Sequence, residues 1–257
     1  MRQILIPVLL VLSASCVCVA QGGIAPSREV GVIYNRERTF NMRLATNRNM
    51  SVGMEFGNLR TYYKTKTWYA GIGEIRHPKE QRQNSDPRVS RAFRPFVYGK
   101  MNSLMVLRAG WGAKRYYSEK ARQRGVAVGM SYNIGPTLGI LKPYYLALAY
   151  QGENSTTFRI LHQRYTEGNS SVFLDNTRIL GASAFARGLK EISFMPGINA
   201  SVAYHMDWGA FDEMVKALEI GVAVDVFGQK VPVFVSNEVN NRLFVNFFVN
   251  LQLGKRR

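Results

Sequence analysis

Between Lys216 and Phe227 the chain alternates with a period of two: Leu218, Ile220, Val222, Val224 and Val226 fall on one side, Glu219, Gly221, Ala223 and Asp225 on the other. Residues i and i+2 of a strand share a face, so this segment is a strand with one apolar face and one small or charged face. The same rhythm recurs at the C-terminal end, where Leu243, Val245, Phe247, Val249, Leu251 and Leu253 oppose Phe244, Asn246, Phe248, Asn250 and Gln252. It is found again in Ile198–Met206, Tyr144–Tyr150, Val126–Ile134, Met50–Phe56 and Phe40–Leu44. Further strands are expected near Glu29–Asn35, Lys66–Arg76 and Ser103–Gly112. The pattern therefore predicts an all-β chain of about ten antiparallel strands. Eight is the alternative, reached if Glu29–Thr46 is one bent strand and one weaker segment is a loop. Gly135-Pro136-Thr137-Leu138-Gly139 reads as a turn, and a short helix is expected around Ala182–Leu189.

Alternation alone fits a soluble sheet, with its oily face on a core and its polar face in water. The N-terminus changes that picture. Met1-Arg2-Gln3 precedes an apolar run from Ile4 to Leu12 and the small-residue segment Ser13–Ala20, the layout of a secretory signal cleaved after Ala20. The apolar run is shorter than the roughly 20 residues a membrane helix needs. An exported chain of alternating strands points to a transmembrane β-barrel with a lipid-facing apolar exterior and a polar lumen. The expected organisation is a signal peptide over residues 1–20, an N-terminal segment over 21–28 and an outer-membrane barrel over 29–257. Both cysteines, Cys16 and Cys18, lie in the signal, so the mature chain has no thiol chemistry. Acylation at Cys16 is disfavoured because Ser13 stands where an aliphatic residue is usual.

The formal charge of +17 could suggest nucleic acid, but no such motif is present and an exported protein rarely meets any. Lipid phosphates and lipopolysaccharide head groups, reached by Lys and Arg at the barrel rims, are the expected anionic partners. With both termini in the periplasm, 152–196 and 228–242 become extracellular loops and Asp207–Val215 a periplasmic turn. His77–Asn102 would then be a long periplasmic excursion, either a docking element or a lumen plug.

Two clusters carry candidate chemistry. Glu74, Arg76, His77, Lys79 and Glu80 bunch at a strand end that Pro78 terminates, and read as a contact for another outer-membrane or periplasmic protein. Alternation turns Arg43, Glu55, His205, Glu219 and Asp225 into the lumen, where such charges must pair or be hydrated. A closed salt-bridge network and a small conducting channel would use the same residues. Catalysis has little to draw on: the three histidines His77, His162 and His205 are dispersed, no metal-ligand spacing occurs, and no cofactor motif is found. The long 152–196 segment contains Val172-Phe173-Leu174 and Ile179–Phe185, apolar pieces that would cap the barrel or dock a neighbour.

The stretch Lys64–Glu80, with Phe194-Met195-Pro196-Gly197 and Asp207–Glu219, resembles a family of Bacteroidetes-type outer-membrane barrels. The resemblance implies an outer-membrane β-barrel with no catalytic residues to carry over. It also implies a non-enzymatic accessory or scaffold subunit of an assembly or secretion complex. A small channel and a barrel-embedded lipid or peptide hydrolase are the alternatives.

Overall fold

The computed structural model describes residues 35–61, 63–84, 93–117, 126–151, 158–208 and 213–257. Eight strands close into an antiparallel barrel: β1 (Arg36–Ala45), β2 (Asn49–Thr61), β3 (Lys64–Ile75), β6 (Asn102–Tyr116), β7 (Ala127–Pro143), β11 (Ser193–Asp207), β12 (Met214–Phe227) and β13 (Leu243–Arg256). Each pairs with its neighbour in sequence, and β1 closes on β13 from Glu37↔Arg256 to Ala45↔Phe248. The remaining strands lie outside the barrel. β4 (Arg82–Gln83) pairs with β5 (Phe96–Val97), and β8 (Tyr145–Gln151) sits between β9 (Phe158–Arg164) and β10 (Ile179–Ala182).

The barrel thus has eight strands, not ten. Tyr144–Tyr150 is the strand that leaves it, because Leu146, Ala147 and Leu148 are all fully buried and neither face is free for an outer surface. Glu29–Tyr34, like the signal segment, lies outside the described residues. Gly135–Gly139 is not a turn but the middle of β7. Pro136 has no N–H to donate, and the β6–β7 ladder skips from Arg108↔Thr137 to Trp111↔Ile134. On the other side the Asn199 amide donates to the Gly135 and Pro136 carbonyls, so the strand runs on through its proline. Residues 185–190 form turns, and the short helix of this region is Ser170–Phe173.

Both chain ends of the barrel meet at one rim, where the Asn35 and Arg36 amides donate to the Arg257 carbonyl. The connections 62–63, 117–126 and 208–213 share this termini end, and the longer connections 76–101, 144–192 and 228–242 all emerge at the opposite, loop end. Eight strands therefore move His77–Asn102 from the termini end, where ten had placed it, to the side of the other long connections. The short β1–β2 link is a tight turn through Asn47 and Arg48, both with positive φ of about 60°, closed by Asn49 N–H on the Thr46 carbonyl. That is the backbone of a type I′ hairpin, for which Asn is suited and Arg is strained.

Burial is inverted relative to a soluble sandwich. On β13 the apolar Leu243, Val245, Phe247, Val249, Leu251 and Leu253 are exposed, while Asn246, Asn250 and Gln252 are buried inside. Ten residues of strand extend about 33 Å, which at a tilt of about 40° gives the roughly 25 Å height of a bilayer's apolar band. No helix among the described residues is long and apolar enough to cross a membrane.

Candidate functional site

Three layers fill the lumen. Nearest the termini end is a charged layer. Lys114 Nζ lies 3.0 Å from Glu37, 2.8 Å from Glu55 and 3.0 Å from the Gln252 amide oxygen. Arg256 bridges Glu37 at 3.1 Å and also Asp207. His205 Nδ1 sits 3.0 Å from Glu219, whose other oxygen accepts from Asn250 at 2.7 Å, and the Tyr116 hydroxyl links His205 Nε2 to Asp207. The middle layer holds the bidentate Arg108–Asp225 pair at 2.8 Å, the Tyr69–Asn199 bond, and the Arg43 guanidinium 4.0 Å over the Phe248 ring. Glycines pair on the wall beside it, Gly53 opposite Gly71; a Cβ on Gly53 would meet the Ala70 carbonyl at 2.6 Å. The five lumenal candidates, Arg43, Glu55, His205, Glu219 and Asp225, all face this interior, but only His205 and Glu219 touch each other. The sequence reading missed Lys114, Arg256, Glu37 and Arg108, although each sits at an inward position of its strand.

The third layer is an apolar plug at the loop end. Ile75, Leu104, Val106, Leu141, Met195, Phe227 and Phe244 from the wall close around Val97, Val231, Val233 and Phe234 from the connections. His77 is built into this plug at 3% exposure. Its ring stands edge-on to Phe234 at 5.4 Å and Phe244 at 6.3 Å; Nδ1 accepts from the Lys79 amide and Nε2 faces the Asn241 amide. Burial, helped by Lys79 and opposed by Glu80, lowers the His77 pKa below its usual 6.5. Above the plug, β8–β10, the Ser170–Phe173 helix and Phe96 share a second apolar core of Phe96, Leu146, Leu148, Phe173 and Ile179. Connection 144–192 is therefore a folded cap.

Of the strand-end cluster, Glu74 and Arg76 form an ion pair at 2.7 Å, and Glu80 is buried against Lys100 at 2.5 Å. Lys79 projects outward, so the five residues do not make one shared surface. Glu74, Arg76, His77 and Glu80 instead line one wall of a cleft of about 660 Å³ between the barrel rim and the cap. The cleft also takes in Arg48 of the hairpin turn, Arg82 and Arg94 of connection 76–101, Lys142 at the end of β7, and Ala182–Phe185 of the cap. Lys142 is 5% exposed; its ammonium donates to the Phe185 carbonyl at 2.9 Å and lies 4.1 Å over that ring. Gly181 permits the closure of this wall, since a Cβ there would lie 2.6 Å from the Arg94 carbonyl, the oxygen that accepts the Ala182 amide at 3.0 Å.

Beside the cleft, His162 Nδ1 is 2.8 Å from the Ser183 hydroxyl. Burial and the nearby Arg187 lower the His162 pKa, and among the described residues no carboxylate faces its other nitrogen. No group of three or more metal-ligating side chains occurs among the described residues. The chain matches no protein-family model and no curated protein.

Proposed function

We propose that the protein is an integral outer-membrane β-barrel acting as a non-enzymatic accessory subunit of an assembly or secretion complex, exported by its N-terminal signal. The observation that carries the membrane setting is the inverted burial, apolar outside and charged inside. Two surface features support it. Exposed aromatic residues run across adjoining strands toward the termini end: Phe56, Trp68 and Trp111 are in register on β2, β3 and β6, followed by Tyr132 and Tyr204 on β7 and β11. Exposed cations stand on six strands toward the same end, Arg38 and Lys255 in the row of Phe56 and Trp68, and Arg60, Lys66 and Arg115 beyond that row, with Lys216 on β12, where phospholipid head groups would begin.

The filled lumen favours a scaffold over a channel, since eight strands leave an interior that side chains occupy. By the usual asymmetry of such barrels, the loop end with its folded cap faces outward and the termini face the periplasm. Phe185 at 58% and Leu189 at 45% exposure offer a cap surface for another outer-membrane protein. The experiment is extraction from outer membranes in mild detergent through a C-terminal tag, with the co-purifying proteins identified by mass spectrometry. Stoichiometric recovery of one outer-membrane or periplasmic protein is expected; recovery of the barrel alone overturns the accessory role. A second reading, a surface hydrolase, draws on the His162–Ser183 contact, and is tested by ester turnover that disappears in both His162→Ala and Ser183→Ala.

A further inference from the structure

The cleft between rim and cap is electrostatically incomplete. Arg76 is matched by Glu74 and Lys100 by Glu80, but Arg48, Arg82, Arg94 and Lys142 have no carboxylate at ion-pair distance among the described residues. Lys142 is buried while Arg48, Arg82 and Arg94 remain exposed to solvent, and four like charges along one cleft repel one another. Arg48 even holds a left-handed φ of 59°, a conformation that Asn or Gly would adopt at lower cost. An anion bound between them would relieve the repulsion, and guanidinium groups match the oxygens of phosphate in bidentate geometry.

The rest of the lining narrows the ligand. A volume of about 660 Å³ is far larger than one phosphate and falls in the range of small-molecule sites. Of the wall hydroxyls, Ser183 is engaged by His162 and Tyr145 donates to Glu191, so Ser103 and Tyr144, whose oxygen accepts the Val97 amide, are the ones with a proton to offer a ligand that has hydroxyls of its own. The floor continues onto the outer face of the barrel. Ile72, Leu107 and Leu138 form one cross-strand row, Glu74, Met105 and Ile140 the next, and Ser103 with Lys142 the row that opens the cleft. An anionic head group in the cleft would leave attached acyl chains along the apolar side of this wall, past Met105 and Ile140 and away from Glu74.

We infer that this cleft binds a sugar carrying two or more phosphate groups, either free or as the head group of a lipid; the lipid form rests on the membrane reading above. The probes are glucose 1,6-bisphosphate, titrated calorimetrically against the full chain in detergent, and phosphatidylcholine nanodiscs with and without a bis-phosphorylated disaccharide lipid. The bisphosphate is expected to bind, and the double variant Arg48→Asn/Arg94→Gln to bind at least tenfold more weakly. Asn at 48 keeps the turn, and Lys230→Ala removes an exposed cation of the same end as the control with affinity unchanged. Retention of that lipid by nanodiscs, lost in the double variant, identifies a head group; bisphosphate binding without lipid preference identifies a free ligand. Absence of binding to both probes, or equal affinity in the double variant, overturns the inference. A chain that binds the bisphosphate yet fails to enter bilayers would leave the site standing and remove the membrane reading.

Discussion

At Lys114 a single ammonium bridges two buried carboxylates, Glu55 and Glu37, the second of which is also paired with Arg256. Removing one partner of a buried ion pair costs far more than the pair contributes, typically about 3–5 kcal/mol, because the remaining charge stays desolvated. Lys114→Met is therefore expected to destabilise the barrel by about that amount, read as a lower urea midpoint for the compact band on unheated gels. Adding Glu37→Gln to it should recover part of the loss, since the two changes share one network. An unchanged midpoint in the single variant would mean that the lumen is hydrated enough to screen the acids. His77 makes a prediction of opposite chemistry. Its folded-state pKa lies below the unfolded value of 6.5, so the stability it confers is complete above 6.5 and falls as pH drops toward the folded value. Protection factors of the amides in residues 231–241, with the intrinsic exchange rate at each pH divided out, should fall between pH 7.5 and pH 5.5 in the native chain and stay flat in His77→Gln. An equal fall in both would assign the effect to another group.

Among the elements, the cap is the one whose independence is testable. β7 and β11 are adjacent antiparallel strands, paired up to Leu141↔Ser193, and connection 144–192 leaves and returns at that one edge. The cap has its own core, separate from the plug. Replacing 144–192 with a two-residue Asn-Gly turn should thus leave a folded barrel, because such a turn fits a hairpin. Loss of the compact gel band would show instead that Phe96 and Val235, which pack under the cap, hold the plug in place. The same element shows how far a sequence can be read. The barrel strands announce themselves because lipid and lumen demand opposite residues at successive positions. Tyr144–Tyr150 shows the same period on its large residues, yet the positions between them are Tyr145, Ala147 and Ala149, none of them lumenal in character. That absence of a polar face was the available signal that the strand is buried on both sides. Gly135–Gly139 misleads in the other direction, because the side chain that bridges the proline, Asn199, lies 63 residues away from it. The cleft was legible only at its Glu74–Glu80 wall, since Arg48, Arg94, Lys142 and Ser183 come from separate segments that chain folding alone brings together.

For the molecule as a whole, the membrane reading fixes the depth of particular side chains and can fail on them. Trp68 and Trp111 stand on neighbouring strands with ring centroids 5.8 Å apart, both more than half exposed, on the termini side of the apolar outer face. Lys66 and Arg115 lie two and four residues beyond them along the same strands, toward the rim. Indole rings favour the boundary between acyl chains and head groups, and cations beyond them favour the phosphate level. Trp208, the third tryptophan, lies past the end of β11 and is removed by Trp208→Phe to isolate the pair. In this variant, reconstituted into lipids brominated either near the glycerol or deep in the chain, emission from Trp68 and Trp111 should be quenched more strongly by the shallow label. Raising the anionic lipid fraction should strengthen that difference at low salt and lose its effect at high salt, because the attraction of these cations to the head groups is screened. Stronger deep quenching would mean that the barrel sits lower, with these cations drawn toward the chains. No quenching by either label would remove the bilayer from the account altogether, and the exposed band of Leu243–Leu253 would then need a protein partner to cover it.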